Sequence, residues 1–494
     1  MVNNIKRKRE ETNNEEFKKD DKDLNFRVEY RDGGIDNFGL LRIETGKGIL
    51  RSYLPRHIII CLDTSVSLLD IEEDGYIKFE MIKNILIRLV REMYQMTENY
   101  KNYKFFLSII TFNDKVMNII EDVEICNRNI NKIIEKISKI KVEGLTNYDK
   151  LFKHLVNFVN KYNKINTINM IISDGNINYG ETNIKELRME LSNIRTNEYF
   201  NIRHEIIGYG KEQNSIFLYK LSKLYNCSYY GMSDIDKISI ILGEIFHDIR
   251  ETFLVDIEIK INNGLIYDYK NSEWKNSIKI NYLLFNSEKK YSIVGDKMVI
   301  EMKYKNYDGN IFERSHAGIF DKGNEKKIIK HYQKSEENRK DSIGINLCKF
   351  RQKILEYMNI VRGNISNNYY DEEDNNEIEK ICFYFREFIR ENNLENNSFC
   401  KRLLDDIQIM IYTNKIRDKY SYMNLVMRLI SLGSERIYNI NNLNKLEILS
   451  KNIENRNDII KNEFGNLYNI KQEANELLIK MDYFYKKLLE KENN

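Results

Sequence analysis

The chain has 494 residues, which is too long for one compact core and predicts two or three domains. Its 78 basic and 75 acidic residues leave a formal charge of +3, so no strong overall field would attract nucleic acid or an anionic membrane. The sequence has no run of roughly 20 apolar residues, as a membrane-spanning helix requires, and no signal-peptide core. We therefore expect an intracellular protein that meets no membrane.

The N-terminal residues 1–24 are dense in charge and lack any periodicity, which is typical of a disordered tail. Lys6–Arg9 offers a candidate nuclear-import signal, but acidic residues follow at once and favour a simple solvated tail. Short apolar pieces and glycines such as Gly33, Gly34, Gly46 and Gly48 in residues 25–50 predict one or two strands that lead into the first domain.

Residues 51–248 alternate strands and helices, a pattern typical of a parallel sheet with crossover helices. The first strand is the continuous apolar run from Arg56 to Asp63, as expected of a central strand covered on both faces. Further strands are predicted at Phe105–Phe112, in TINMIISDG, at Ile202–Gly210 and in CSYYGM. The expected fold class is α/β, with a Rossmann-like, doubly wound and mostly parallel sheet.

The spacing at which apolar residues recur changes twice in the remaining sequence. In residues 249–324, apolar residues alternate with polar ones at Val255–Ile261, and Asn262–Gly264 and Asp308-Gly309 predict turns between strands. This segment is expected to form a small antiparallel β-domain. In residues 325–494 the apolar residues recur at helical spacing, which predicts an all-α C-terminal region of five or six amphipathic helices.

Three loops of the predicted parallel sheet carry side chains that bind hard cations. Asp63, Ser65 and Ser67 follow the first strand, Thr146 lies in GLTNYD, and Asp174 follows the third long strand. Open α/β sheets bind ligands at the carboxyl ends of their strands, and alternate positions of an extended loop point the same way. Two carboxylates and three hydroxyls without His or Cys suit Mg²⁺ or Mn²⁺ rather than zinc or copper.

Each piece of this pattern also has a purely structural interpretation. A D-x-S-x-S string is short, serine after a strand usually caps a helix, and Asp-Gly is an ordinary turn pair. The six cysteines are scattered without a CxxC pair, which argues against a zinc module and indicates free thiols. The prediction of a metal site therefore depends on the order and placement of the three pieces.

With the pieces in this order, the sequence resembles the von Willebrand factor type A (vWA) domain over roughly residues 50–245. The metal-ion-dependent adhesion site of that family has D-x-S-x-S, then Thr in a later loop, then Asp in a T/S-D-G turn. The resemblance implies that Ser65, Ser67 and Thr146 contact the metal through their hydroxyls. It also implies that Asp63 and Asp174 act directly or through water.

The sequence departs from the family beside the motif, with Val66 and Leu145 at positions where glycine is usual. An acidic segment, Asp70–Asp74, follows the motif. The downstream order of a β-rich segment and then helices is similar to that of intracellular multidomain proteins that contain this domain.

The resemblance implies a metal-dependent protein-interaction module, whose ion binds an Asp or Glu carboxylate of a partner protein. The alternative is a structural or scaffold component of a larger assembly, such as the particle of a large DNA virus, in which the metal is dispensable. An enzyme is not expected, because no general base, nucleophile elbow or P-loop accompanies the motif. No concentrated basic face indicates nucleic-acid binding. The partner and the oligomeric state stay open.

Overall fold

The structure is a computed structural model that describes the following residues: 24–30, 38–45, 56–69, 77–99, 104–162, 166–194, 201–210, 212–224, 226–232, 238–285, 287–306, 311–317, 337–367, 369 and 372–434. The chain divides into two compact units, Met1–Lys349 and Phe350–Asn494. The predicted charged tail, apart from Leu24, lies outside the described residues, as does the chain after residue 434.

The described residues form thirteen strands and ten helices. The strands are β1 (Leu24–Tyr30), β2 (Phe38–Thr45), β3 (Arg56–Asp63), β4 (Phe105–Phe112), β5 (Val116–Glu124), β6 (Asn166–Ser173), β7 (Asn201–Tyr209), β8 (Cys227–Met232), β9 (Thr252–Asp268), β10 (Glu273–Lys275), β11 (Ser277–Leu284), β12 (Glu288–Asn306) and β13 (Ile311–Ala317). The helices are α1 (Lys78–Asn99), α2 (Ile130–Ser138), α3 (Tyr148–Tyr162), α4 (Ile184–Asn193), α5 (Ser215–Leu221), α6 (Ile238–Glu251), α7 (Glu337–Ser366), α8 (Glu372–Glu391), α9 (Ser398–Ile416) and α10 (Lys419–Ser434).

A six-stranded sheet has the order β5-β4-β3-β6-β7-β8, and all neighbours are parallel except β4 and β5. The central strand β3 is buried along its whole length, as its continuous apolar sequence predicts. The Rossmann-like α/β class is therefore confirmed. The antiparallel edge strand β5 was not predicted. Many of its residues are polar, most are at least partly exposed, and apolar and polar residues do not alternate regularly along it.

Helices cover both faces of this sheet. Ile58, Ile60 and Leu62 of β3 share one hydrophobic core with apolar residues of α1, α2 and α6. On the opposite face, the ring of Phe158 in α3 lies 6.3 Å from that of His57. Full burial of an aliphatic side chain stabilises a fold by roughly 1.5 to 3 kcal/mol. The burial of β3 on both faces therefore fixes it between two helical layers and fixes where its carboxyl end lies.

The predicted lead-in strands occur as β1 and β2, but they belong to the antiparallel sheet. β2 pairs with β1 and with β12, and a seven-stranded sheet continues in the order β1-β2-β12-β9-β10, with β11 on β9 and β13 on β12. Leu41 and Ile43 of β2 explain this placement, because they are buried in one core with Ile266 and Ile293. The parallel-sheet domain is thus inserted between two strands of the antiparallel one.

The turn predicted at Asn262–Gly264 is wrong. β9 is one continuous strand there, and its pairing with β12 shifts register opposite Gly295 and Val299. Asn263 has a φ of 62°, and it lies opposite the three β12 residues between Gly295 and Val299, so Asn-Asn-Gly continues the strand beside a bulge of β12 in place of a chain reversal. Gly295 is required at the start of this bulge, because a Cβ there would lie 2.5 Å from the Asn263 carbonyl oxygen.

The second unit begins within α7 and continues through α8, α9 and α10, so four of the predicted helices are described. The rings of Phe350 in α7 and Phe385 in α8 are 4.9 Å apart. Asn397 caps α9 by accepting hydrogen bonds from the backbone N–H groups of Phe399 and Cys400. Among the described helices, none is long and apolar enough to cross a membrane. None of the six cysteines, which all lie within the described ranges, forms a disulfide.

Candidate metal-ion site

Three loops meet beyond the carboxyl ends of β3 and β6. The backbone N–H of Val66 donates to the carbonyl oxygen of Gly144 at 3.2 Å, which joins the loop after β3 to the loop before α3. The backbone N–H of Thr146 donates to Oδ1 of Asn178 at 2.6 Å, which joins the second loop to the loop after β6. The structure therefore brings together the three loops that carry the predicted ligands.

Asp63 lies at the end of β3 and is fully buried. Its Oδ1 accepts a hydrogen bond from the backbone N–H of Ser65 at 3.0 Å, and its Oδ2 accepts one from Oγ of Ser173 at 2.6 Å. Ser67 belongs to a 3-10 turn that spans Val66–Leu69, so the loop is not extended as the sequence predicted. The hydroxyls of Ser65 and Ser67 still lie 3.1 Å apart.

The electrostatics of the site centre on Asp63. Burial, followed by the negative charge of Asp174, raises the pKa of Asp63 from 3.8 to about 7. Hydrogen bonds from Ser173 and Ser65 act in the opposite direction but do not overcome these effects. The two carboxylates thus lie close enough to repel each other, in surroundings that penalise an uncompensated negative charge.

Thr146 is 1% exposed, and its Oγ1 has no hydrogen-bond partner among the described residues. A buried hydroxyl without a partner costs roughly 1 to 3 kcal/mol, so such groups call for an explanation. Asp174 is also buried, and its Oδ1 accepts a hydrogen bond from the backbone N–H of Asn176 at 3.0 Å. Gly175 makes this turn possible, since its φ is 76° and a Cβ there would lie 2.7 Å from Leu218.

Ser173 is a member of the site that the sequence did not single out. Its Oγ donates to Asp63 and accepts hydrogen bonds from the hydroxyl of Tyr148 at 2.7 Å and from the backbone N–H of Gly175 at 3.0 Å. Burial raises the pKa of Tyr148 well above its usual value, so this phenol remains a donor. Ser173 could have been found as the last residue of a strand, directly before Asp174 in the SDG turn.

The donor set consists of oxygen atoms. Within the described part of the chain, no group of three or more His, Cys, Asp or Glu residues could hold a metal ion. An ion at these loops would therefore depend on the hydroxyls of Ser65, Ser67 and Thr146 as well as on Asp63 and Asp174. Such ligands match hard divalent cations.

A second polar cluster lies away from these loops. Nε2 of His57 is 2.8 Å from Oγ of Ser108, and the backbone N–H of Asp122 donates to the same Oγ at 2.9 Å. Ser108 is fully buried between the strands and His57 nearly so. This cluster joins β3, β4 and β5 and presents no hydroxyl to solvent.

Comparison with solved structures identifies the fold. A von Willebrand factor type A protein from Catenulispora acidiphila superposes with a TM-score of 0.53 at 9% identity, covering 83% of this chain and 96% of that one. The chain has a von Willebrand factor type A fold. The ArnB paralog VWA2 from Sulfolobus acidocaldarius covers 83% of this chain and 98% of its own at 13% identity, with a TM-score of 0.48.

No protein-family model matches the sequence, and no curated protein matches it significantly. We use the name vWA domain for the parallel-sheet domain from β3 to α6. Within it, the three loops described above lie at the carboxyl edge of the sheet, where open α/β sheets bind their ligands.

Proposed function

We propose that the vWA domain is a metal-dependent protein-interaction module. Asp63, Ser65, Ser67, Thr146 and Asp174 would hold one Mg²⁺ or Mn²⁺ ion, and this ion would bind an Asp or Glu carboxylate of a partner protein. The observation that carries the proposal is the hydroxyl of Thr146, which is buried and has no hydrogen-bond partner in the part of the chain that the structure describes. It lies in a loop bound to both other loops of the site.

The electrostatics of Asp63 support the same proposal. A buried carboxylate such as Asp63, whose pKa is raised by burial and by the charge of Asp174, is stabilised by a divalent cation, which offsets both the repulsion and the penalty of burial. The remaining three ligands are neutral hydroxyls, so the ion keeps charge with which to attract a further carboxylate. When bound, the ion supplies this electrostatic attraction.

The other residues of the site position these ligands. Ser173 and Tyr148 form a chain of hydrogen bonds that ends on Oδ2 of Asp63, and the backbone N–H of Ser65 fixes Oδ1. Asn178 holds the backbone at Thr146. These contacts hold the predicted ligands in place before any ion binds, which lowers the entropic cost of binding.

The test uses two matched variants. Thr146→Val removes the hydroxyl but keeps the branched shape. Thr111→Val removes a hydroxyl of β4 that is likewise buried and has no hydrogen-bond partner within the described ranges. At a Mg²⁺ concentration 100 times the Kd, wild type should gain about 2.7 kcal/mol of unfolding free energy. Thr146→Val should lose most of this gain, and Thr111→Val should keep it.

Neither substitution should destabilise the metal-free protein strongly, because each removes a hydroxyl that makes no bond in the fold. If Mg²⁺ or Mn²⁺ raises the unfolding free energy of Thr146→Val as much as that of wild type, the proposed ligand set is contradicted. Affinity purification in Mg²⁺ and in EDTA then tests the partner. A partner that binds equally in EDTA and to Thr146→Val would favour the scaffold alternative.

A further inference from the structure

Each of the three site loops presents at least one large apolar side chain to solvent beside the predicted ligands. Val66, Leu145 and Tyr179 are 49%, 41% and 50% exposed. Val66 lies between Ser65 and Ser67, and Leu145 directly precedes Thr146. We call Val66, Leu145 and Tyr179 the apolar rim.

The rim residues are held near one another by the contacts that join the loops. The backbone N–H of Val66 donates to Gly144, the residue before Leu145. Asn178, the residue before Tyr179, accepts from the backbone N–H of Thr146. The rim therefore borders the candidate metal-ion site on the three loops that form it.

The exposure of Val66 also shows that its side chain does not fill the site. Single exposed apolar residues are common on protein surfaces and need no explanation. Three on the loops of one candidate binding site are different, because none gains from burial and polar residues would serve these surface positions equally well. Apolar side chains that stay exposed around a polar centre are typical of a surface that another protein covers.

We infer that the partner segment carries a large apolar side chain close to the acidic residue that reaches the ion, and that this apolar side chain packs on the rim. The inference rests on the proposed function. An extended segment points residues i and i+2 to the same side, about 7 Å apart, so one strand can present both groups. Charge complementarity favours the acidic residue, since Nζ of Lys150 also lies 5.6 Å from the Tyr179 ring.

The experiment uses a displayed library of linear nine-residue peptides with a central Asp and random flanks. The full chain is the target in Mg²⁺, and bound peptides are eluted with EDTA. We expect the eluted peptides to be enriched in Leu, Ile, Phe, Tyr or Trp within two positions of the Asp. Mg²⁺ affinity is measured in parallel by calorimetry.

Rim variants then test the contact itself. Val66→Ser, Leu145→Ser and Tyr179→Ser should each weaken a selected peptide about fivefold to tenfold, as expected for a contact in the centre of an interface. Mg²⁺ affinity should stay as in wild type. Met189→Ser in α4 is the matched control, because Met189 is an apolar side chain that is 60% exposed outside the three loops, and it should change neither measurement.

A selected peptide whose apolar residue is replaced by serine should bind more weakly to wild type but show little further loss with Val66→Ser, since the same contact is removed twice. Peptides that elute with EDTA but show no apolar preference, or that bind the rim variants as tightly as wild type, would overturn this inference and leave the proposed function standing. A library without EDTA-dependent peptides would overturn both.

Discussion

Protonation and the proposed metal binding both act on the carboxyl group of Asp63, and this leads to a prediction about the stability of the protein. The folded carboxyl keeps its proton up to about pH 7, whereas the unfolded carboxyl loses it near pH 3.8. Between these values the folded state binds more protons, so the unfolding free energy of the metal-free protein falls as pH rises. Above about pH 7 both states are ionised, and the loss is complete.

The size of this loss follows from the pKa shift. A rise from 3.8 to about 7 corresponds to about 4 kcal/mol at most from Asp63. The side chain of Asp63→Asn cannot ionise. The unfolding free energy of the variant should therefore rise relative to that of wild type as pH increases over this range. Mg²⁺ should restore the unfolding free energy of wild type at pH 8, because the ion replaces the proton on Asp63. It should have little effect on the unfolding free energy of Asp63→Asn.

The assay is urea unfolding in EDTA and in Mg²⁺ at a series of pH values, following the transition of the vWA domain. Glu121→Gln is the control: hydrogen bonds, first from Tyr162, lower the pKa of Glu121 to about 2, so its contribution is lost only as pH falls below about 4.5. Glu121→Gln should leave the slope of the unfolding free energy against pH unchanged between pH 4.5 and 7. The reasoning is refuted if wild type and Asp63→Asn have the same pH dependence in EDTA.

Three further predictions concern single contacts. Ser173→Ala leaves the Tyr148 hydroxyl without its acceptor and removes the donor to Oδ2 of Asp63. It should lower the urea midpoint by an amount equivalent to about 1 to 3 kcal/mol while weakening Mg²⁺ binding in calorimetry. Gly295→Ala should destabilise the protein by about 1 to 3 kcal/mol in thermal unfolding, because the added Cβ would meet backbone atoms. Gly243→Ala in α6 is the control: there is open space around this glycine, and the substitution should stabilise the protein by up to about 1 kcal/mol. Asn397→Ala should cost α9 about 1 kcal/mol, seen as faster amide exchange in its first turn, and unchanged exchange there would contradict the cap.

Much of the vWA fold could be predicted because its signals are local. The apolar run of β3 and the carboxylate at its end are adjacent in sequence, and the same is true of β6 and Asp174. The sequence therefore indicated which loops would meet, and in the structure they do meet. Metal binding by the five predicted ligands stays a prediction.

The parts that sequence could not predict depend on long-range or ambiguous signals. The placement of β2 depends on pairing with β12 far along the chain, which leaves no local pattern. The sequence Asn-Asn-Gly fits a strand that continues beside a bulge as well as a turn, and only the partner strand decides between them. Ser173 was missed because its role comes from its contacts with Asp63 and Tyr148, which lie on other elements.

The insertion of the vWA domain into the antiparallel sheet has a consequence for the order of folding. Ser287 donates its backbone N–H to Thr45, a residue 242 positions earlier. At a synthesis rate of about 5 to 20 residues per second, β2 waits on the order of ten seconds or more for its second partner strand, β12, to be made. The vWA domain, whose contacts are nearer in sequence, can form during that interval. Its folding shortens the gap that the chain must close and thereby speeds completion of the sheet.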